Sequence, residues 1–191
     1  LISGEGYPSI LDIHLPNAIR DIEATQKYDF LVVVLDAEED SVQERYQKVV
    51  LAADRSETKL QSARLEVVVQ NRCIETWLLG NRKIMPRQPQ DAELKQYIAH
   101  YDVRQNDPEQ MTLHTNFLYH AHFHLDYLKR IFQERGVAYT KTHPGQAGDR
   151  SYVEQLTSRV ADFPDHIETF SHFLHLCSQF GSLPMETRFD S

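Results

Sequence analysis

Phe30-Leu-Val-Val-Val-Leu35, followed directly by Asp36, is the stretch that decides the predicted fold of this 191-residue chain. A continuous aliphatic and β-branched run of this length is typical of a strand buried on both faces, as in a parallel sheet. A second strand is predicted at Leu65–Val69, and a helix between the two strands at about Ser41–Asp54. Strand, helix and strand in this order predict a right-handed βαβ unit.

The helix between the two strands has a clear start and a clear inward face. Ser41 is a suitable N-cap, and Glu44, three residues later, completes a capping box. Apolar residues then recur at spacings of four, three and four, which is the period of one helix face. The residues predicted to face inward are Val42, Tyr46, Val49 and Ala53.

The rest of the chain carries several helical patterns and one short strand pattern. Helices are predicted at residues 16–22, 73–79, 91–100, 118–136, 151–163 and 165–180, and a third strand at Val137–Thr140. In the helix at 151–163, Val153, Leu156 and Val160 are predicted to face inward. The order of elements predicts an α/β fold with a mostly parallel sheet flanked by helices and a helical C-terminal part at about residues 151–180. We expect a single domain over residues 1–191.

Composition and charge narrow the function classes. Hydrophobic residues make up 41% of the chain and charged residues 25%, which excludes disordered and collagen-like classes. The formal net charge of −8 argues against an extended surface that coats nucleic acid, because phosphates require a concentrated cationic face. Two cysteines are too few for a disulfide framework, which favours a reducing, cytoplasmic compartment. The longest strongly apolar run, residues 30–35, is too short to cross a bilayer, so no membrane partner is expected.

Acidic side chains follow both strands of the predicted βαβ unit. Asp36 ends the first strand, Glu38 and Asp40 come two and four residues later, and Glu75 follows the second strand. Ligands bind outside the carboxyl ends of parallel strands, so these carboxylates are expected to converge. Converging carboxylates repel each other unless a hard cation such as Mg²⁺ neutralises them. Lys141, just past the third predicted strand, would reach the same edge, and three carboxylates with a lysine suit phosphoryl transfer.

Other interpretations of the acidic residues remain open on this pattern. Acidic residues after a strand commonly cap the next helix and are solvated, and we expect this of Glu39, Asp40 and Glu44. The strand-end aspartate is also compatible with the phosphoacceptor of a receiver domain or with a haloacid-dehalogenase site. The segment at residues 73–79 has no counterpart in receivers, and Asp40 stands where the dehalogenase motif has Thr or Val.

Two segments of the chain resemble Toprim domains. The strand followed by Asp36-Ala-Glu38 is similar to their Asp-x-Asp motif, with Glu in the second place. The segment Asn71-Arg-Cys-Ile-Glu75-Thr-Trp77-Leu-Leu79 resembles the Glu-x-Trp-Leu-Leu segment of small Toprim-like proteins related to OLD-family nucleases. Further similarity runs through Tyr139-x-Lys141, Tyr152, Arg159 and residues 166–170.

The resemblance implies a Toprim-like fold and a metal-dependent nuclease that hydrolyses phosphodiester bonds of DNA or RNA. One or two Mg²⁺ or Mn²⁺ ions would be held by Asp36, Glu38 and Glu75, together with Asp40, and Lys141 would stabilise the extra negative charge. Many such proteins are toxic effectors of bacterial phage defence, often beside an ATPase, so an ATPase partner and a homo-oligomer are implied. The alternative is a non-catalytic Toprim-like module that only binds its partner.

Toprim domains carry an essential glutamate after their first strand, usually before a glycine. Glu5, followed by Gly6, is one candidate for this residue. The other is that the first strand and its glutamate lie upstream of Leu1, in sequence outside this chain. Loss of this glutamate would favour the non-catalytic alternative.

Histidines and basic residues supply two further candidate sites. His120 and His124 are four residues apart on a predicted helix, the usual spacing of two zinc ligands, although such histidines more commonly pack in a core or an interface. Arg82, Lys83 and Arg87 lie in the loop that borders the expected site, where they would hold a phosphate backbone or be simply solvated. The sequence has no Walker loop, Gly-x-Gly-x-x-Gly or Gly-x-Ser-x-Gly motif, so those nucleotide and hydrolase sites are unsupported.

Overall fold

The computed structural model describes residues 6–182 of the chain. These residues divide into two compact units between Ile74 and Glu75, each with its own buried residues. Glu5 lies outside the described residues, so its prediction as the first-strand glutamate is not tested. The expectation of one domain over the whole chain also stays a prediction.

The first unit is a two-stranded parallel sheet flanked by helices. Its elements are a π-helical segment (Ile10–His14), α1 (Leu15–Thr25), β1 (Phe30–Asp36), α2 (Val42–Arg55) and β2 (Arg64–Gln70). β1 pairs with β2 in parallel, from Phe30 opposite Arg64 to Asp36 opposite Gln70. The strand–helix–strand prediction and the α/β class are therefore confirmed.

Burial of β1 alternates between its two faces. Val33 and Leu35 belong to a buried cluster that also contains Val49 of α2. Val32 and Val34 on the opposite face are 37% and 41% exposed. The prediction of a strand buried on both faces is therefore wrong for β1, because the core cluster of this unit packs against one face of the strand.

α2 begins as predicted and buries Val49 and Ala53 of the predicted inward face, but not Tyr46. Ser41 Oγ accepts a hydrogen bond from Glu44 N, and the Glu44 carboxylate accepts one from Ser41 N, so the capping box is confirmed. The buried residues of the helix are Arg45, Val49 and Ala53. Tyr46, predicted to face inward, is 40% exposed, and Arg45 is buried beside it instead.

The second unit is helical in its described residues. Its helices are α3 (Ile74–Leu78), which starts at the last residue of the first unit, α4 (Ala92–His100), α5 (His120–Glu134), α6 (Arg150–Asp162) and α7 (Glu168–Ser182). α6 and α7 form the helical C-terminal part that the sequence predicts. Among the helices of residues 6–182, none combines the length and the apolar character that crossing a membrane requires.

The third strand predicted at Val137–Thr140 is wrong. Val137 N donates to Phe132 O at 2.9 Å, and Thr140 and His143 exchange backbone hydrogen bonds of 3.3 and 3.1 Å. The segment uses these backbone groups locally, at the end of α5 and in a tight turn, rather than in a sheet. Within the described part of the chain, the sheet therefore consists of β1 and β2 alone.

Replacement of Gly80 by alanine is expected to lower the free energy of unfolding by about 1–3 kcal/mol. A Cβ atom here would lie 2.7 Å from the backbone oxygen of Trp77 and 3.1 Å from side-chain carbons of Leu156 and Ile167. The oxygen belongs to α3, so it cannot move aside as a flexible side chain would. Urea unfolding followed by circular dichroism measures the change. Gly181→Ala, in α7 with nothing within 4 Å of the new atom, is the matched control and should cost nothing; equal stability of the two variants would contradict the prediction.

Candidate active site

The carboxyl end of β1 passes directly into a loop rich in carboxylates, residues 36–40, which we call the acidic loop. Ala37 N donates to Gln70 O and Glu38 N donates to Arg72 O, both at 2.9 Å, so the loop continues the pairing of β1 with β2. Glu38 and Arg72 both have left-handed backbones, with φ of 56° and 67°. The acidic loop therefore follows one defined path at the edge of the sheet where ligands commonly bind.

Arg45 of α2 contacts the acidic loop through one end of its guanidinium. Its Nη2 donates to Ala37 O at 2.9 Å, and lies 3.1 Å from Asp40 Oδ2 and 3.7 Å from Glu38 Oε2. Lys48 Nζ donates to the same Asp40 Oδ2 at 2.6 Å. The hydrogen bond from Lys48 and the charge of Arg45 hold the pKa of Asp40 below its ordinary value, although partial burial opposes them. Asp40 thus has two cationic partners, which a metal ion would have to displace.

Arg72, which follows β2, holds the same loop through its backbone. Its Nη1 donates to Glu38 O at 3.1 Å and to Asp40 O at 3.4 Å. The Glu38 side chain is 56% exposed, and Asp36 is half-buried at the end of β1. A ligand from solvent can therefore reach the Glu38 carboxylate while the loop backbone stays fixed.

Glu75 of α3 is 0% exposed, and the second unit supplies two partners for its carboxylate. Tyr139 Oη donates to Glu75 Oε1 at 3.0 Å. Lys141 Nζ lies 3.7 Å from Glu75 Oε2, and the lysine side chain is 53% exposed. Within the described residues, Glu75 Oε2 has no hydrogen-bond partner. The structure thus brings together two predicted site residues, Glu75 and Lys141, that are far apart in the sequence.

Aromatic stacking places Tyr139 beside Glu75. The Tyr139 ring stacks on Phe132 of α5, with centroids 5.7 Å apart and planes 7° apart. Tyr152 of α6 stacks on the same Phe132, and its Oη donates to Leu78 O at 2.8 Å. Burial raises the pKa of Tyr152 above its ordinary value. Apart from its position two residues before Lys141, nothing in the sequence marks Tyr139 as a partner of a buried carboxylate.

The predicted site residues fall into two groups, one in each unit. Asp36, Glu38 and Asp40 belong to the acidic loop, whereas Glu75 and Lys141 belong to the second unit. Over residues 6–182, no three or more His, Cys, Asp or Glu side chains form a group that could hold a metal ion. Magnesium sites in proteins commonly use only one or two carboxylates, completed by waters and substrate phosphates.

The histidine pair considered as zinc ligands lies at the start of α5. The ring centroids of His120 and His124 are 6.2 Å apart. His124 is 0% exposed, and its Nδ1 lies 2.8 Å from Thr76 Oγ1 in α3. This hydrogen bond ties α5 to α3 and indicates a packing role for His124.

The basic residues predicted near the site are exposed in the second unit. Arg82 and Lys83 begin a 3₁₀ turn after α3, and Arg87 follows in the loop. The Arg82 guanidinium lies over the Phe163 ring at 4.8 Å. Arg135 Nη1 donates to Lys83 O at 3.3 Å, which brings a fourth cation to this loop. The contribution of Arg135 has no signal in the sequence, since it comes from the end of α5.

Comparison of the chain with protein-family models, with curated proteins and with solved structures finds no match. Function is therefore inferred from the residues of the two groups and their geometry. The second unit offers a buried carboxylate beside a half-exposed cation. The first unit offers exposed carboxylates on a loop whose backbone is held by two arginines.

Proposed function

We propose that this protein is a metal-dependent endonuclease that hydrolyses phosphodiester bonds of DNA or RNA. The observation that carries the proposal is the fully buried Glu75 carboxylate, whose Oε2 lies 3.7 Å from the Lys141 ammonium. A buried carboxylate beside a partly exposed cation is an arrangement found at acid–base and phosphoryl-transfer sites. The Toprim-like segment around Glu75 supports the same chemistry.

The residues of the two groups have distinct roles in this proposal. Lys141 stabilises the negative charge that develops on the scissile phosphate. Glu75, held by the Tyr139 hydroxyl, positions the Lys141 ammonium for this task. Asp36 and Glu38 are hard oxygen donors for Mg²⁺ or Mn²⁺, and such an ion polarises the phosphate when it is bound.

The donor chemistry of the acidic loop fits a divalent cation. Glu38 is 56% exposed, so its carboxylate is open to an ion that keeps part of its water shell. Asp40 fits less well than Glu38, because Arg45 and Lys48 lie 3.1 and 2.6 Å from its Oδ2, whereas Glu38 Oε2 has Arg45 at 3.7 Å. We therefore propose Asp36 and Glu38 as the ligands of this loop, and Asp40 as a counter-ion.

The resemblance extends the proposal to a biological role. We propose a cytoplasmic toxic effector of phage defence, controlled by an ATPase partner and able to form a homo-oligomer. The net charge of −8 supports a need for a partner or an oligomer, because an acidic chain binds nucleic acid weakly on its own. The exposed cations Arg82, Lys83 and Arg87 provide the local contact with the phosphate backbone.

A second candidate function is a non-catalytic Toprim-like module that binds a partner protein. The observation that favours it is the ion pairing of Asp40 with Arg45 and Lys48, since these cations stabilise part of the acidic loop without a metal. The two candidate functions differ in whether the protein cleaves nucleic acid when a divalent cation is present.

The purified protein is expected to cleave DNA or RNA in Mg²⁺ or Mn²⁺, and EDTA is expected to abolish the cleavage. Asp36→Asn is expected to slow cleavage roughly tenfold to hundredfold, because it removes one of the anionic oxygens that hold the ion. Gel assays with end-labelled DNA and RNA, run over a range of metal concentrations, measure both effects.

Asp54→Asn is the matched control for this assay, because Asp54 is an exposed acid near the end of α2. It should cleave at the wild-type rate. Equal rates for wild type and Asp36→Asn would exclude Asp36 from the site. Absence of metal-dependent cleavage in the wild type, with and without its partner, would favour the non-catalytic module.

A further inference from the structure

Residues 76–90 and 135–148 carry positive charges and no carboxylate, although the whole chain has a net charge of −8. The cations of these two segments are Arg82, Lys83, Arg87, Arg135 and Lys141. We propose that Arg135 is a phosphate-binding residue, whose guanidinium contacts the backbone of a bound nucleic acid beside the Glu75–Lys141 pair. This inference rests on the proposed function, because it adds a residue to the substrate-binding surface of the same site.

Arg135 joins the two cationic segments. It follows the end of α5 and is exposed, and its Nη1 donates to Lys83 O at 3.3 Å and to Ile84 O at 3.5 Å. These bonds anchor the guanidinium through one nitrogen. Its Nε and Nη2 lie together on one edge, and an edge of this kind donates two parallel hydrogen bonds to the oxygens of a phosphate. The anchored side chain is therefore suited to bind a phosphate from solvent.

The charge of Arg135 is not neutralised within residues 6–182. The carboxylate next to it in the sequence, Glu134, instead accepts backbone hydrogen bonds from Gln90 and Asp91. Exposed arginines elsewhere do have carboxylate partners, as Arg150 has in Glu154. In the described part of the chain, no ion pair with a carboxylate is formed by Arg82, Lys83, Arg87 or Arg135. A group of uncompensated cations on an acidic chain favours a partner that carries negative charge.

The backbone that carries these cations is held on two sides. Asn81, which is 3% exposed, accepts a hydrogen bond from Lys83 N through its side-chain oxygen at 3.0 Å. Arg135 donates to the carbonyl oxygen of the same Lys83. A surface that is ordered before binding loses less conformational entropy when a ligand binds.

The Tyr152 hydroxyl places Arg135 near the Glu75–Lys141 pair. Burial raises the pKa of Tyr152, the Tyr139 hydroxyl raises it further, and the Arg135 guanidinium lowers it. Electrostatic effects of this kind weaken with distance, so Arg135 and Tyr139 both lie near the Tyr152 hydroxyl. Tyr139 donates to Glu75 Oε1 at 3.0 Å, and Lys141 Nζ lies 3.7 Å from Glu75 Oε2. A nucleic-acid backbone bound by Arg135 therefore passes close to Lys141, which is proposed to contact the scissile phosphate.

Fluorescence anisotropy of the full chain with short fluorescein-labelled DNA and RNA oligonucleotides tests the inference. EDTA is present throughout, so binding is measured without cleavage. Arg135→Met is expected to raise the dissociation constant about tenfold, the loss expected for a hydrogen-bonded contact with a charged group. It should also reduce the dependence of log K on log salt concentration by about one, because one phosphate contact is lost.

Lys129→Met is the matched control, because it removes one positive charge from an exposed position on α5, the helix that ends next to Arg135. Its dissociation constant should stay within about twofold of the wild type, since the charge of a solvated side chain away from the contact is screened by salt.

The possible results each decide the inference. Loss of affinity in Arg135→Met that does not exceed the loss in Lys129→Met overturns it, and so does a wild type that binds neither DNA nor RNA at low salt. A higher dissociation constant with an unchanged salt dependence also overturns it, because Arg135 then supports the fold of the loop and not a phosphate contact.

If Arg135→Met does not fold by circular dichroism, Arg135→Lys decides in its place. The lysine keeps the charge but has no edge of two nitrogens, so weaker binding supports the inference and equal binding overturns it. A wild type that binds nucleic acid but does not cleave it when Mg²⁺ or Mn²⁺ is added refutes the nuclease function alone. The dissociation constants measured in EDTA still decide the role of Arg135.

Discussion

Arg159→Met is expected to lower the free energy of unfolding by about 3–5 kcal/mol, since unsatisfied buried acceptors cost roughly 1–3 kcal/mol each. Arg159 of α6 is 2% exposed. Its Nη1 donates to Gly80 O at 3.1 Å and to Val103 O at 2.7 Å, and its Nη2 donates to Asn106 O at 2.7 Å. Nη2 also lies 3.0 Å from His166 Nδ1. Methionine fills the space of the arginine stem but leaves these acceptors without a donor.

Part of this loss is offset by relief of a buried charge. Burial lowers the pKa of Arg159 to about 10, which shows that the guanidinium is poorly solvated but still charged at neutral pH. Urea unfolding measures the net effect. Arg150→Met on the same helix is the control, because the Arg150 side chain is 93% exposed and its ion pair is with the exposed Glu154 of the same helix; its effect should stay within about 0.5 kcal/mol. A decrease of less than about 1 kcal/mol in the free energy of unfolding of Arg159→Met would contradict the prediction and show that water donates to the carbonyl groups in place of the guanidinium.

Buried arginines accompany the one predicted inward residue that is exposed in each of two helices, whereas Leu156 of α6 and Val49 and Ala53 of α2 are buried as predicted. In α6 the apolar pattern predicts Val153 and Val160 inward, whereas the structure buries Arg159 and leaves Val153 42% exposed. In α2 the pattern predicts Tyr46 inward, whereas the structure exposes Tyr46 and buries Arg45. Hydrophobic periodicity treats arginine as a surface residue, and the carbonyl groups that accept its hydrogen bonds come from other segments of the chain. Local sequence therefore gives no signal for these positions.

Elements with a local physical cause could be predicted, and contacts between distant segments could not. The βαβ unit follows from two β-branched runs and a capped helix, all within residues 30–70. The segment Val137–Thr140 has strand-like residues but no partner strand in the described chain, so its composition was misleading. The acidic loop is visible in the sequence, whereas the partners of Glu75 depend on packing between α3 and the segment after α5.

Glu75→Gln is expected to slow nucleic-acid cleavage about a hundredfold, because Lys141 loses the anionic partner that positions it. Glutamine has nearly the same shape and can keep the hydrogen bond from Tyr139 Oη, which is 3.0 Å long in the wild type. It removes the negative charge beside Lys141. The cleavage rate at saturating metal and substrate measures the effect.

Stability distinguishes a catalytic Glu75 from a structural one. A fully buried carboxylate, one of whose oxygens has no hydrogen-bond partner among residues 6–182, costs free energy to desolvate, so the neutral glutamine should leave stability unchanged or raise it. Loss of activity with unchanged or higher stability is the result expected of a residue whose charge serves the activity and does not stabilise the fold. Glu154→Gln, an exposed glutamate on α6, should change neither quantity. Full activity of Glu75→Gln would remove Glu75 from the site, and a large loss of stability would show that its charge serves the fold through Lys141.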